Sequence, residues 1–331
     1  MNKQIKSSNI IPSSAVCVLV AIGLIVFGSI SKDIYIRQVL SMIGINYMLA
    51  AGLNLLFGHT GQISIGQAGF YALGAYTASC LETKLNVPFY IAWPSAVIVT
   101  ALIAFLLGSR ILKLHGHYLA MATIAFGLIV ESLTTNWIQV FNGHAGVYVR
   151  SKTLIGAFLT KNLFALIVIF AALAFIISNN IEYSRIGRAI KSVRENEDAA
   201  MSIGIVHSKY KVIMFILGAA FSAVAGVMYA HLNGIITPEV FNNATSQTIL
   251  IIVVVGGMGS NIGVLLGAIV ITALPEFLYG FADYNILVYG VLVVVMQLFF
   301  PKGLAGMLQS LVRIIKKNIK KDELPKTSEG V

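Results

Sequence analysis

Charged residues are scarce in this sequence, making up 11% of its 331 residues, whereas soluble domains carry about 25%. Hydrophobic residues reach 57%, and the mean hydropathy is +0.86. One water-soluble core cannot bury that much apolar surface, so the composition excludes an ordinary soluble fold and favours a chain surrounded by lipid. The net charge is +10, but the basic residues gather between the apolar runs. That distribution fits the positive-inside rule better than a nucleic-acid surface.

Residues that would form a catalytic or metal centre are also few. Cys17 and Cys80 both lie in apolar stretches and are predicted at opposite faces of the membrane, so we expect two small core side chains rather than a disulfide. His115 and His117 are close together but have no neighbouring cysteine or carboxylate, which argues against a metal site. No G-x-x-x-x-G-K-[ST] phosphate loop occurs, so any ATP must bind another chain. The sequence predicts no catalytic residue, metal or cofactor.

Long apolar runs are what the sequence has instead, and a membrane-spanning helix needs about 20 mostly apolar residues. The clear candidates are 10–30, 38–57, 88–108, 117–139, 162–178, 211–232, 261–281 and 286–300. Two shorter runs, 67–82 and 246–258, could either cross or enter and return. If both cross, most of the 23 basic residues fall on one side, as the positive-inside rule requires.

These runs predict an all-α, polytopic membrane helix bundle of about ten transmembrane helices, with both termini in the cytoplasm. The predicted parts are a short cytoplasmic N-terminus (1–9), a transmembrane domain (10–301) and a basic cytoplasmic tail (302–331). The bacterial cytoplasmic (inner) membrane is the expected location.

The longest internal polar stretch, 179–210, contains GRAIKSVRENEDAAMSIG. Its good helix formers and its apolar residues at three- and four-residue spacing predict one amphipathic helix. The apolar positions are Ile186, Ala189, Ile190, Val193, Ala200 and Ile203. Gly204 is a natural stop for this helix.

Polar side chains and glycines follow the run at 38–57, in GHTGQISIGQAGFYALGAY. Polar groups at membrane depth are tolerated where they line a water-filled path or are buried in protein. Two interpretations stay open: the cluster lines a translocation pathway, or it joins packed helices. The candidate pathway residues are Gln62, Ser64, Gln67, Phe70 and Tyr71. Glycines 259, 263 and 267, and glycines 218 and 226 with Ser222, are predicted to form faces for tight helix packing.

Several segments resemble, in order, bacterial branched-chain amino acid permeases of the LivM type, which belong to ABC importers. D198-A-A-M-S-I-G204 is similar to the Glu-Ala-Ala-x-x-x-Gly element of such permeases, with Asp in place of Glu. The other similar segments are GLNLLFGHTGQISIGQAGFYALGAYTA (52–78), GHYLAMATIAFG (116–127), SRIGRAIKSVRENEDAAMSIGI (184–205), ITPEVF (236–241), VVGGMGSNIGVLLGA (254–268), LPEFL (274–278) and FFPKGLAG (299–306). The resemblance covers most of the chain.

The resemblance implies a permease domain over 10–301 that imports leucine, isoleucine or valine, energised by ATP hydrolysis on partner subunits. The implied partners are a second, homologous permease, two cytoplasmic ATP-binding subunits and an extracytoplasmic substrate-binding protein. The loop 179–210 then carries the coupling helix that docks on an ATPase. The implied coupling residues are Arg194, Asp198, Ala199, Ala200 and Gly204.

Two acids inside apolar runs keep an alternative open. Glu131 and Glu276 could relay protons in a self-sufficient secondary amino-acid transporter, or could be held by neighbouring helices. Glu131 also departs from the resemblance, because relatives often carry a basic residue there. An ABC permease for urea or amides is a further alternative.

Overall fold

The structure is a computed structural model, and it describes residues 22–23, 33–114, 116–149, 162–277, 290–291, 294 and 303–307. Most of these described residues are helical. The helices are α1 (Ile34–Leu53, continued by a π-helical turn, Asn54–Gly58), α2 (Gln67–Thr83), α3 (Phe89–Ile111), α4 (His117–Asn136), α5 (Ile138–Phe141), α6 (Leu163–Tyr183), α7 (Arg185–Glu195), α8 (Glu197–Ser202), α9 (His207–Asn233), α10 (Asn243–Gly256) and α11 (Asn261–Phe277). Two short strands, β1 (Val147–Tyr148) and β2 (Ile235–Ile236), pair antiparallel.

Five described helices are long and apolar enough to cross a membrane, namely α1 with its π-helical turn, α3, α4, α6 and α9. They coincide with predicted spans to within a few residues, so a polytopic membrane helix bundle is confirmed. The spans predicted at 10–30 and 286–300 fall almost entirely outside the described residues. The count of ten and the cytoplasmic termini therefore stay predictions.

Helices α7 and α8 lie at one end of the bundle, and the strands β1 and β2 lie at the other; we call these the α7–α8 end and the β end. The two short apolar runs form half-length helices, α2 with 17 residues and α10 with 14. Gln67, at the start of α2, bonds Ser222, which lies near the middle of the 27-residue α9. From there α2 runs to the β end, and α10 runs to the α7–α8 end.

The starts of α2 and α10 meet in the middle of the bundle. The backbone N–H of Ala68 donates to Ser246 Oγ at 3.0 Å, and that of Ile65 donates to Thr123 Oγ1 at 3.0 Å. These hydroxyls satisfy donors that a helix start leaves free. The segment 61–66 before α2 is not helical, and such backbone is tolerated at membrane depth because protein surrounds it.

Close backbone contacts hold the long helices around α9. A Cβ atom added to Gly218 would lie 2.6 Å from the carbonyl oxygen of Gly52 in α1, and Gly226 packs in the same way on the backbone of α2. Gly263 and Gly267 of α11 pack on the backbone of α10. Small residues let helices approach until their backbones touch. The predicted packing role is confirmed for these four glycines, but Gly259, predicted on the same face as Gly263 and Gly267, lies instead in the turn before α11 with a φ of +82°.

The prediction of one continuous amphipathic helix in the long polar loop is wrong. The helix breaks at Asn196, whose backbone is extended (φ −159°) and whose side chain accepts a hydrogen bond from Ala199 N–H. Asn196 is therefore the N-cap of α8, and Glu197 and Asp198 occupy its first turn. Both features favour a new helix start over continuation of α7.

Candidate functional site

The polar loop 179–210, which the resemblance identifies as the coupling loop, turns one apolar face into the bundle and leaves another uncovered. Ile190, Val193 and Ala200 are buried against the bundle. Met201, Ile203 and Val206 are 46%, 72% and 60% exposed. These three lie in the polar segment between two spans, where we expect water rather than lipid to surround them. Exposed apolar side chains grouped in such a segment are typical of a protein-binding site.

The five predicted coupling residues do not all face the same way. Asp198 and Ala199 are exposed on α8, whereas Ala200 is buried. Gly204 is exposed and has a φ of +82°, a conformation that glycine adopts without strain. Arg194 is also exposed, but its side chain reaches back to the end of α1, where Nη1 donates to the carbonyl oxygen of Gly58 at 2.5 Å.

An ion pair ties α8 to α9. Lys211 Nζ lies 2.5 Å from Glu197 Oε1, and the side chain of Lys211 is only 2% exposed while that of Glu197 is 34% exposed. Since an ammonium group inside the bundle needs a partner, Glu197 fixes the position of the loop against α9.

A cavity of about 240 Å³ lies between the loop and the non-helical segment before α2. Its lining includes Thr60, Gln62, Arg194 and Lys211. His59 lies next to this region, and burial, together with the positive charges of Lys191 and Arg194, lowers the pKa of His59 to about 4. His59 is therefore neutral at physiological pH.

The five predicted pathway residues are all buried. Gln62 Oε1 and Ser64 Oγ have no hydrogen-bond partner among the described residues. Gln67 Oε1 accepts from Ser222 Oγ at 2.7 Å. The Phe70 ring packs against α4 and α9 (Phe126, 4.7 Å between ring centroids; Phe215, 5.3 Å), and Tyr71 lies 4.8 Å from Phe241. Of these five, Gln62 alone lines the cavity beside the loop.

Sequence reasoning missed a polar cluster near the β end. Glu82 Oε1 accepts from Trp93 Nε1 at 2.8 Å, and Glu82 Oε2 lies 3.1 Å from His231 Nε2. His231 Nδ1 lies 2.8 Å from the carbonyl oxygen of Val227. Hydrogen bonds among the imidazole, the indole and the carboxyl group therefore hold α2, α3 and α9 together at this level. Glu82 lies at the end of its apolar run, two residues before Lys84, where a charged side chain is expected to be exposed. The sequence therefore contains no sign that Glu82 is buried.

The acids behind the secondary-transporter alternative are less informative. Glu131 is partly exposed, and its carbonyl oxygen accepts from Thr134 and Thr135. No ion pair to Glu131 occurs within the described part of the chain. The side chain of Glu276, and Cys17 and His115, lie outside the described residues.

Comparison with known proteins agrees with this arrangement. Residues 35–298 match the family described as branched-chain amino acid transport system, permease component. The high-affinity branched-chain amino acid transport system permease protein LivM of Salmonella typhimurium is 31% identical over 303 residues, covering 84% of this chain and 71% of the relative. LivM of Escherichia coli is 32% identical over 293 residues, covering 81% and 69%.

The permease protein LivH of Escherichia coli is 28% identical over 296 residues, covering 87% of this chain and 90% of the relative. No solved structure matches with significance. The family match covers well over half of the chain, and the resemblance seen in its motifs is confirmed. The protein is thus a multi-pass membrane protein that belongs to the family of permease components of branched-chain amino acid transport systems.

Proposed function

We propose that this chain is the transmembrane subunit of an ABC importer that carries leucine, isoleucine or valine across the cytoplasmic membrane. ATP hydrolysis takes place on two separate subunits that bind the α7–α8 end from the cytoplasm. The observation that carries the proposal is the exposure of Met201, Ile203 and Val206 to water. A self-sufficient carrier has no use for such a surface, since nothing would cover it.

Docking of the ATPase uses the exposed face of α8. Asp198 can form a charge-assisted contact with a basic side chain, and the small Ala199 allows close approach of the two backbones. Gly204 then turns the chain back toward α9. Ala200 acts from within, by anchoring α8 to the bundle.

A second, related permease covers α4. Among the five long apolar helices, α4 is the least apolar and the least buried, and it leaves the polar Ser132 and Asn136 exposed. Lipid is a poor solvent for such a face, whereas a partner helix can satisfy it. The similarity of this chain to both LivM and LivH supports a pair of homologous permeases.

The translocation pathway passes the candidate residues where α2 and its preceding segment cross the bundle. Gln62 and Ser64 support this, because a buried polar atom without a partner costs about 1–3 kcal/mol. Such a cost is expected where the group is paired in another state, with water or with the charged ends of a substrate. Gln67, Phe70 and Tyr71 form the wall behind them.

An extracytoplasmic binding protein delivers the substrate at the β end. That end presents polar and charged groups to solvent, such as His144 and Glu239, whose side chains are 71% and 57% exposed. Their hydrogen bond lowers the pKa of Glu239, which stays ionised.

The energy source and the substrate are tested by reconstituting this chain in liposomes together with the second permease, the ATPases and the binding protein. We expect leucine uptake with ATP on the ATPase side, and none with an imposed proton gradient alone. Uptake driven by the gradient through this chain in isolation would establish the secondary-carrier alternative. ATP-driven uptake of urea but not of leucine would support an ABC importer and refute branched-chain amino acids as its substrates.

The docking surface has its own test with a matched control. Ile203→Asp places a carboxylate in the exposed apolar patch, and we expect the ATPases no longer to co-purify with the membrane subunits. Ile138, 66% exposed at the β end, provides the control, because Ile138→Asp adds the same charge at a similar exposure. Equal co-purification of both variants would refute the proposed surface.

Orientation is tested with single cysteines in a chain that lacks Cys17 and Cys80. We expect Ser192→Cys and Ser328→Cys to be shielded from impermeant thiol reagents in intact cells, while Lys152→Cys is labelled. Labelling of Ser192→Cys from outside would reverse the orientation.

A further inference from the structure

Arg194 connects the coupling loop to two glycine turns that close the bundle at the α7–α8 end. Its guanidinium donates to the carbonyl oxygen of Gly58 at 2.5 Å. Its Nη1 would lie 3.4 Å from a Cβ atom added to Gly259, and its Cγ would lie 3.4 Å from one added to Gly61. The arginine side chain therefore lies in contact with both turns.

The two turns are also joined to each other. Asn54 is fully buried, and its Oδ1 accepts from the N–H of Gly259 at 2.8 Å. Its Nδ2 donates to Asn261 Oδ1 at 3.4 Å. Gly259 has a φ of +82°, which glycine alone adopts freely. We call this contact between the end of α1 and the turn after α10 the glycine junction, made by Gly58, Gly61, Gly259, Asn54 and Asn261.

The local backbone of the glycine junction is suited to rearrangement. Residues Asn54–Gly58 form a π-helical turn, a rare arrangement that is frequent at functional sites. Nδ2 of Asn261 is buried without a partner among the described residues, so the junction is not fully satisfied in this state. The half-length helix α10 ends here, so movement of the junction moves the element that meets α2 in mid-bundle.

We infer that Arg194 is a positioning residue that couples displacement of the coupling loop to opening of the glycine junction during transport; the inference rests on the proposed function. The loop has two anchors with different targets: Glu197 holds α8 to α9 through Lys211, while Arg194 holds α7 to the junction. When an ATPase displaces the loop, the guanidinium carries the Gly58 backbone with it. The contact that the loop makes with the ATPase is then provided by α8 and not by Arg194.

The inference predicts that loss of Arg194 uncouples ATP hydrolysis from leucine uptake, rather than abolishing both. Arg194→Ala leaves the exposed face of α8 intact, so the ATPases should still bind and hydrolyse ATP. Leucine imported per ATP hydrolysed should fall roughly tenfold, the factor that corresponds to loss of one charge-assisted hydrogen bond. Arg194→Lys keeps the positive charge but lacks the planar guanidinium group. Its ratio of leucine imported to ATP hydrolysed should lie between those of the wild type and Arg194→Ala.

The experiment uses the complete reconstituted importer and measures uptake and ATP hydrolysis in the same vesicles. Arg188→Ala is the matched control, because Arg188 lies on α7 and donates to the carbonyl oxygen of Tyr183 within the loop region itself. We expect the ratio of uptake to hydrolysis to be unchanged in Arg188→Ala and lowered in Arg194→Ala. An unchanged ratio in Arg194→Ala, or loss of the ATPases from the complex, would overturn the inference.

A second measurement does not depend on uptake. Thr60 lines the cavity next to the junction and is 4% exposed, so Thr60→Cys in a chain without Cys17 and Cys80 reports its opening. With Arg194 present, the rate of labelling by a small thiol reagent should change when the ATPases are trapped with nucleotide; with Arg194→Ala it should not. If the wild-type importer fails to take up leucine, the proposed function fails, and this comparison still decides the role of Arg194.

Discussion

We expect replacement of Glu197 to destabilise the protein more than replacement of its ion-pair partner Lys211. The Lys211 side chain is 2% exposed and that of Glu197 is 34% exposed. Glu197→Gln leaves a buried ammonium group without a countercharge. Lys211→Met fills the same space with an apolar chain and leaves a carboxylate that water can reach.

The expected magnitudes reflect this difference in burial. Removing one partner of a buried pair costs about 3–5 kcal/mol, and we expect about 3 kcal/mol for Glu197→Gln because the site is partly open. For Lys211→Met we expect about 1 kcal/mol, as for pairs near water. The double variant should be close to Lys211→Met alone, which gives a coupling free energy of about 2–3 kcal/mol.

Thermal unfolding of the detergent-solubilised chain measures these losses. At roughly 2 °C per kcal/mol for a chain of this size, Glu197→Gln should lower the midpoint by about 6 °C. The control pair is Lys191 with Glu182, which are 47% and 16% exposed, and Glu182→Gln should cost about 1 kcal/mol or less. Equal losses for the two single variants, or a strictly additive double variant, would refute the reasoning.

Three further pairs of substitutions test other contacts. Gly218→Ala should destabilise the chain by about 1–3 kcal/mol in the same assay, because its Cβ would meet the backbone of α1 at 2.6 Å, whereas Gly127→Ala, with nothing within 4 Å, should be neutral or stabilising. Gly204→Asp should abolish leucine uptake while the protein stays in the membrane, and Gly204→Asn should retain part of it, because both strain the turn similarly but Asp alone adds charge. Glu82→Gln should change stability by about 1 kcal/mol or less, since the amide can still accept from the indole and pair with His231, whereas His231→Leu should cost about 1–3 kcal/mol because it leaves a buried oxygen of Glu82 without a partner. Equal effects within any of these three pairs would contradict the corresponding contact.

The long spans could be predicted from the sequence because hydropathy is a local property. The runs at 88–108 and 211–232 correspond to α3 and α9 within a few residues. The resemblance likewise identified the family, since its motifs are read residue by residue. Features that depend on contacts between distant parts of the chain could not be predicted in the same way.

The half-length helices show why. The shortness of the run at 67–82 leaves open whether it crosses, but where α2 begins in the bundle depends on Ser222 and Ser246, more than 150 residues away. The same holds for Arg194, whose partner Gly58 is 136 residues distant. The break at Asn196 is different, because an asparagine followed by two acids is a local helix-start signal that periodicity alone overlooks.

The close contact between Gly52 and Gly218 has a consequence for biogenesis. These residues are separated by 166 positions in the chain, so at about 5–20 residues per second the ribosome needs roughly 8–33 s to deliver the second after the first. During that interval Asn54 and Gln67 are already made, while their partners on α9 and beyond do not yet exist. We therefore expect the early helices to stay at the translocon or beside an insertase, where the amide of Gln67 is hydrated until α9 arrives and that of Asn54 until the turn before α11 arrives.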